Sequence, residues 1–301
     1  MSAQPPLLSS PLPHRPVSRI LKAVVLVPLA LAAGYVFLSL TLLSSHTDGF
    51  FAWRMSPVTA TLLGAAYGGS CAMLALAACT DSWVKVRVAV FASSLFMLLM
   101  LGALLLGRGE MHLRGGALVG FLSAWIWLGV HLLAPLVGLV GLGAQWRIRG
   151  ALPPRPPRLP WWVSAPMAVN GTALALAGAV LYVDPAPAAR RWPWQAGQLD
   201  VRVIGAWCLV FGVALLLSRQ EAELRRVRGG MAALVCTGGF GLLGLVRYAD
   251  RVHWASPGAW LVVLVLCSLL GLGLSGVGIS ALLDPPEITP APPSAPVVRP
   301  A

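Results

Sequence analysis

The sequence predicts an all-α polytopic membrane protein, eight transmembrane helices arranged as two parallel four-helix repeats. Three observations carry this expectation. Hydrophobic residues make up 57% of the 301 residues and charged residues only 11%, under half of the roughly 25% usual in soluble domains. Ionisable residues are almost confined to the gaps between eight long apolar runs. Finally, unusual residue types recur at an offset of 141 positions.

A helix needs about 20 mostly apolar residues to cross the hydrocarbon core. The runs that meet this are 22–43, 57–79, 87–106, 116–142, 161–183, 199–218, 230–247 and 258–282. No water inside a bilayer satisfies the backbone, so each run is expected to be helical. Pro28, Pro135 and Pro166 fall inside spans and are expected to kink them or to sit near their ends. Residues 1–19, rich in Pro and Ser, are predicted to be disordered. The apolar run that follows is longer than the roughly 7–15-residue core of a signal peptide, so the first span reads as an uncleaved helix. The predicted organisation is a first repeat over 20–143, a Pro/Arg-rich linker over 144–160, a second repeat over 161–283 and a disordered Pro-rich tail over 284–301.

The net charge is +12, yet nucleic acid is not the expected partner, because the basic residues sit in short loops beside apolar runs. Lys and Arg number 14 on the side carrying the N-terminus and 8 on the other. The positive-inside rule then puts both termini in the cytoplasm. Arg far outnumbers Lys in a chain heavy in Ala, Leu, Gly and Pro, which suggests a GC-rich bacterial genome and a bacterial cytoplasmic (plasma) membrane. The linker is read as a basic spacer against anionic lipid. Cys71, Cys79, Cys208, Cys236 and Cys267 lie in or at the edges of apolar runs, where they read as small packing residues.

The offset of 141 places Trp53 on Trp194, Gly64-Ala65 on Gly205-Ala206, Val86-Arg87 on Val227-Arg228 and His112 on His253. Each half then holds four spans, and an even number preserves orientation, so the repeats are expected to be parallel, related by an axis along the membrane normal.

The candidate binding residues are Trp194, Asp200, Arg202, Arg247, Asp250 and His253, all at the outer ends of the sixth and seventh spans or in the adjoining loops. The offset gives Asp200 and Arg202 the partners Thr59 and Thr61, so the second half carries charge where the first is bland. Charge at the edge of the hydrocarbon is costly and tends to be paired. Asp200 and Arg202 are two apart on a helix and do not face each other. Each is expected either to find a partner among Arg247, Asp250 and Arg251 or to snorkel to headgroups. Phe50, Phe51, Trp53, Trp192 and Trp194 form either an aromatic belt or a lip around a lipid-like substrate. His131, deep in the fourth span, reads as a helix-packing residue, and Asn170 as an interhelical hydrogen-bond donor. Gly64-xxx-Gly68 and Gly116-xxx-Gly120 serve either intrachain packing or dimerisation. No metal-ligand spacing, P-loop or G-x-S-x-G stands in the chain, so no catalytic residue, metal or cofactor is expected.

Trp192-Pro193-Trp194 followed by Arg202-Val203-Ile204-Gly205-Ala206-Trp207, with Arg247-Tyr248 and Pro257-Gly258-Ala259-Trp260-Leu261, resembles a WPW…RxIGAW pattern of uncharacterised actinobacterial multi-pass membrane proteins. The resemblance is clearest over 190–262; Ala196-Gly197-Gln198 depart from it. It implies membrane localisation and actinobacterial origin, and no activity. The function read from the sequence is non-catalytic binding or assembly in the membrane. Its expected partners are membrane lipids and either another membrane protein or further copies of the chain. The alternative is a transporter or lipid-handling protein using an outer vestibule in the second half. An enzyme acting on lipid-linked substrates is the weakest class, since no nucleophile stands out.

Overall fold

The computed structural model describes residues 15–150, 161–221 and 224–282. The expectations for 1–14, for 151–160 of the linker and for the tail over 284–301 lie outside the described residues. Eight helices are long and apolar enough to cross a membrane, and no strand occurs among the described residues. They are α1 (Arg19–Leu42), α2 (Pro57–Ala78), α3 (Trp83–Leu106) and α4 (Leu118–Trp146). The second four are α5 (Trp161–Val183), α6 (Gln198–Gln220), α7 (Arg228–Arg247) and α8 (Pro257–Leu282).

Several helices outrun their apolar stretches. α3 begins at Trp83 rather than 87, because Arg87 finds a partner within the fold: its Nε donates to Glu221 Oε1 at 2.7 Å and its Nη2 to Oε2. α4 continues to Trp146 because Gln145 is fully buried against the N-terminal segment. Ser18 N donates to Gln145 Oε1 at 2.7 Å, Gln145 Nε2 donates to Pro16 O at 3.0 Å, and Arg15 donates to Gln145 O at 2.8 Å. Residues 15–18 are therefore held in place, where disorder is expected through 19. They are also pinned by Val17 N to Asp81 O and Trp83 N to Arg15 O. Lys22 Nζ meets Asp81 at 2.6 Å, and this bond with its charge holds the exposed Asp81 carboxyl below its usual range.

Helix α2 is the most enclosed, with 61% of its apolar window buried, and α4 the least, with 11%. The helices form two rows. In one, α1 packs on α2, α2 on α7 and α7 on α8; in the other, α5 packs on α6, α6 on α3 and α3 on α4. Advancing each helix by four places converts one row into the other. Close approach is made possible by glycine. A Cβ at Gly178 of α5 would lie 2.7 Å from Gly205 O, and a Cβ at Gly212 of α6 would lie 2.6 Å from Gly171 O, so the two backbones touch. Gly64 and Gly68 receive Leu40, Thr41 and Phe37 of α1, which gives that pair an intrachain role. Pro28 follows a π-turn over Lys22–Leu26, while Pro135 and Pro166 sit inside continuous helices.

Hydrogen bonds collect at two faces. Residues 15–22, 81–87, 145 and 221 meet at the face bearing the N-terminus. Residues 47–59, 110–112, 193–202 and 247–254 meet at the far face.

Candidate functional site

The far face contains the six residues singled out in the sequence, and they do not converge on one another. Asp200 is 2% exposed. Its Oδ1 accepts from Trp53 Nε1 at 2.9 Å and its Oδ2 from Gly197 N at 3.0 Å. This N3 carboxylate thus satisfies an otherwise orphaned donor at the start of α6. Glu110 adds a second such contact, accepting from Leu199 N at 3.0 Å. Trp194 Nε1 donates to Thr59 Oγ1 at 2.9 Å. Arg202 Nε donates to Tyr182 O at 3.0 Å, and Arg247 Nη1 to Thr41 O at 2.7 Å, each reaching a carbonyl in the last turn of a helix. Asp250 and His253 are exposed; the backbone N of His253 donates to Pro193 O at 2.8 Å. Of the two alternatives, pairing or snorkelling, no ion pair joins these residues among the described residues, and Arg202 and Arg247 instead reach backbone carbonyls at helix ends. Peptide groups at helix ends are nearer and already oriented, so they capture the charges first.

A second set of residues meets in the interior. An apolar cleft with a cavity volume of about 100 Å³ lies among α1, α2, α3, α4, α6 and α7. Its walls include Tyr67, Phe96, Trp127, His131 and Trp207. Tyr67 and Trp207 pack edge-on with ring centroids 5.0 Å apart, Tyr67 and Trp127 at 6.0 Å, and Phe96 and Trp207 at 4.0 Å. Trp127 and His131, one turn apart on α4, are 5.1 Å apart.

Eight buried side-chain polar atoms lack a hydrogen-bond partner among the described residues, and four of them belong to residues that line this cleft: Tyr67 Oη, Trp127 Nε1, His131 Nε2 and Trp207 Nε1. Tyr67, His131 and Trp207 are exposed by only 6%, 3% and 5%. An unmade hydrogen bond in such a place costs about 1–3 kcal/mol, so four together in one region call for an explanation. His131 Nδ1 lies 2.8 Å from Trp127 O. A carbonyl oxygen only accepts, so Nδ1 carries the proton in this contact and Nε2 is left buried without a partner among the described residues.

The cleft has a lateral opening. Ala32 of α1 and Val130 of α4 stand on its rim and are exposed. The two helices are joined at their ends. Gly141 of α4 receives Leu21 and Val25 at one end, and Gly120 faces Asp48 O and Phe51 O at the other. Pro135 in α4 also lacks the N–H that would meet the His131 carbonyl.

The sequence marks Trp207 only as part of the RxIGAW pattern and His131 as a packing residue, and it does not single out Tyr67 or Trp127. The available signal was position. Each of the three aromatic residues stands ten or eleven residues into its helix, whereas belt aromatics stand at helix ends.

These features define an integral membrane protein with a pocket inside its helical bundle. Comparison with family models, with curated proteins and with solved structures finds no match.

Proposed function

We propose that the chain is a non-catalytic, membrane-embedded binding protein. It takes a lipophilic molecule from the bilayer through the opening between α1 and α4 and holds it in the aromatic cleft. The observation that carries this is an apolar cleft inside the bundle whose rim residues Ala32 and Val130 are exposed, with Tyr67, Trp127, His131 and Trp207, each bearing a buried unpartnered polar atom, in its walls. A mostly apolar pocket with a few convergent polar groups is the usual form of a small-molecule site. The outer face of the second half supports the alternative vestibule less well, because Asp200, Arg202, Arg247 and Trp194 already have protein partners there.

The same proposal places the protein in a bacterial cytoplasmic membrane with both termini cytoplasmic, on the strength of the Lys/Arg asymmetry. It also reads the chain as two parallel repeats. Support comes from pairs that exchange under the offset of 141. Trp53 bonds Asp200 while Trp194 bonds Thr59, and His112 N bonds Ala52 O while His253 N bonds Pro193 O.

The test uses a photoreactive alkyl-diazirine probe in membranes containing the protein. Crosslinks are expected at cleft residues such as Met73 and Met97, and Ala32→Trp should reduce them about tenfold while leaving the lipid-facing Leu31 labelled. Absence of cleft labelling, or equal labelling in Ala32→Trp, refutes the reading.

A further inference from the structure

We infer that the far face carries a site for the phosphodiester of an anionic phospholipid, where the ends of α1 and α7 meet. The site is separate from the cleft and does not depend on it. It is built from cationic and hydroxyl groups gathered around one side chain, Tyr248.

Tyr248 directly follows α7. The Arg247 guanidinium lies 5.2 Å from the centre of its ring and the Arg251 guanidinium 5.8 Å. The Tyr248 hydroxyl lies 2.6 Å from Ser44 Oγ and 3.3 Å from Ser45 Oγ, in the turn that follows α1. Two guanidinium groups and three hydroxyls thus collect at the junction of two helices. Partial burial pushes the Tyr248 phenol up, yet its hydrogen bonds with Ser44 and Ser45 and the charges of Arg247 and Arg251 outweigh this and hold it below its ordinary value. The local field is therefore positive.

No carboxylate answers that charge. Neither arginine forms an ion pair among the described residues, although Asp250 stands between them in sequence. Arg247 commits one N–H to Thr41 O, at 2.7 Å, and a guanidinium carries five. Arg251 is exposed. Arginine N–H groups match phosphate oxygens in geometry as well as in charge, and the hydroxyls can donate to the same group.

The neighbouring surface says that the phosphate belongs to a lipid. Phe240, Leu243 and Arg247 follow one another by three and four, so they share a face of α7, and all three are exposed. Phe240 meets Phe37 of α1 with ring centroids 4.9 Å apart, and Leu38 and Leu42 continue the exposed apolar surface on α1. An acyl chain lying along these side chains brings its phosphate to the helix ends, level with the arginines. A free phosphate ion would meet the same cations and use none of the apolar surface. A lipid without phosphate would leave the cations unanswered.

The experiment uses the full chain in detergent micelles and a phosphatidylglycerol carrying a diazirine close to its glycerol. A diacylglycerol with the same chains and the same diazirine is the comparison. Crosslinks are located by mass spectrometry. Labelling of residues 38–48 and 240–251 is expected to reach half-maximum at about tenfold lower concentration for phosphatidylglycerol than for diacylglycerol. Arg247→Gln with Arg251→Gln should remove that difference. Arg190→Gln with Arg191→Gln, which takes the same charge from exposed positions of the same face, should leave it. Equal labelling by the two lipids on the unmodified protein overturns the inference, and this comparison decides even where a variant fails to fold. Equal loss in the two double variants also overturns it, because diffuse charge would then suffice. Displacement of the phosphatidylglycerol by millimolar inorganic phosphate overturns it as well, since the ligand would be the ion and not the lipid.

Discussion

The gap between α1 and α4 has a counterpart between α5 and α8, and the two differ in how their polar atoms are treated. The second cleft is lined by Asn170, Ser268, Gly271 and Leu272, among others. At an offset of 141 these are the positions of Leu29, Trp127, Val130 and His131 in the first. In the second cleft the polar groups satisfy each other. Ser268 Oγ donates to Asn170 Oδ1 at 2.6 Å, and Asn170 Nδ2 donates to Pro166 O at 2.9 Å. In the first, the indole, phenol and imidazole polar atoms of the wall residues are buried without partners among the described residues. Satisfied polar atoms glue helices together, whereas unsatisfied ones persist only where something else repays them. The difference fits a structural role for the second cleft and the binding proposed for the first.

The strongest way to break this comparison is to give the first cleft the residues of the second. The pair Trp127→Ser and His131→Leu removes a donor, an acceptor and one wall of the aromatic cage. Lipophile binding in the cleft, read by diazirine crosslinking, is expected to fall more than tenfold. Retained crosslinking in the double variant would mean that the polar atoms have no part in binding.

The far face offers a second comparison, of intermediate size. Trp53→Phe leaves the buried Asp200 carboxylate without its indole donor, while Trp194→Phe leaves only the neutral Thr59 hydroxyl. Thr59 still has a second partner, since Ser56 Oγ donates to it at 3.0 Å. Hydrogen bonds to charged groups contribute about 1.5–3 kcal/mol and neutral ones about 0.5–1.5 kcal/mol. Trp53→Phe is therefore expected to lower stability in detergent unfolding more than Trp194→Phe. The reverse order would show that ring packing, not the acceptor, decides both.

The smallest expected effect lies at the other face. The Asp81 carboxyl is held below its usual range by the hydrogen bond from Lys22 and by its charge. A lowered folded-state value contributes stability at pH above the ordinary carboxylate value, about 3.9, and loses it as pH falls through the folded-state value. Asp81 is almost fully exposed, at 94%, so solvent screening keeps the contribution small. Melting of Asp81→Asn should differ slightly from the unmodified protein at pH 7 and converge with it in strong acid. A gap that widens with acid would reverse the sign argued here.

The sequence by itself determined the eight helices and the placement of ionisable groups near their ends. The cause is local: a run of apolar residues in hydrocarbon must close its own backbone hydrogen bonds, and charge must stay near water. The offset of 141 on which the proposed repeat rests is also visible there, through rare Trp and His types. Only the tertiary structure decided what those residues touch. Trp53 and Asp200 are 147 positions apart, and the cleft draws its polar atoms from α2, α4 and α6. Helical periodicity says which face of a helix a residue occupies and nothing about which helix that face will meet. Apolar helices in a membrane are nearly interchangeable by composition. Their neighbours are set by where glycine lets backbones approach and by which few polar atoms find partners, and those choices exist only once the bundle has packed.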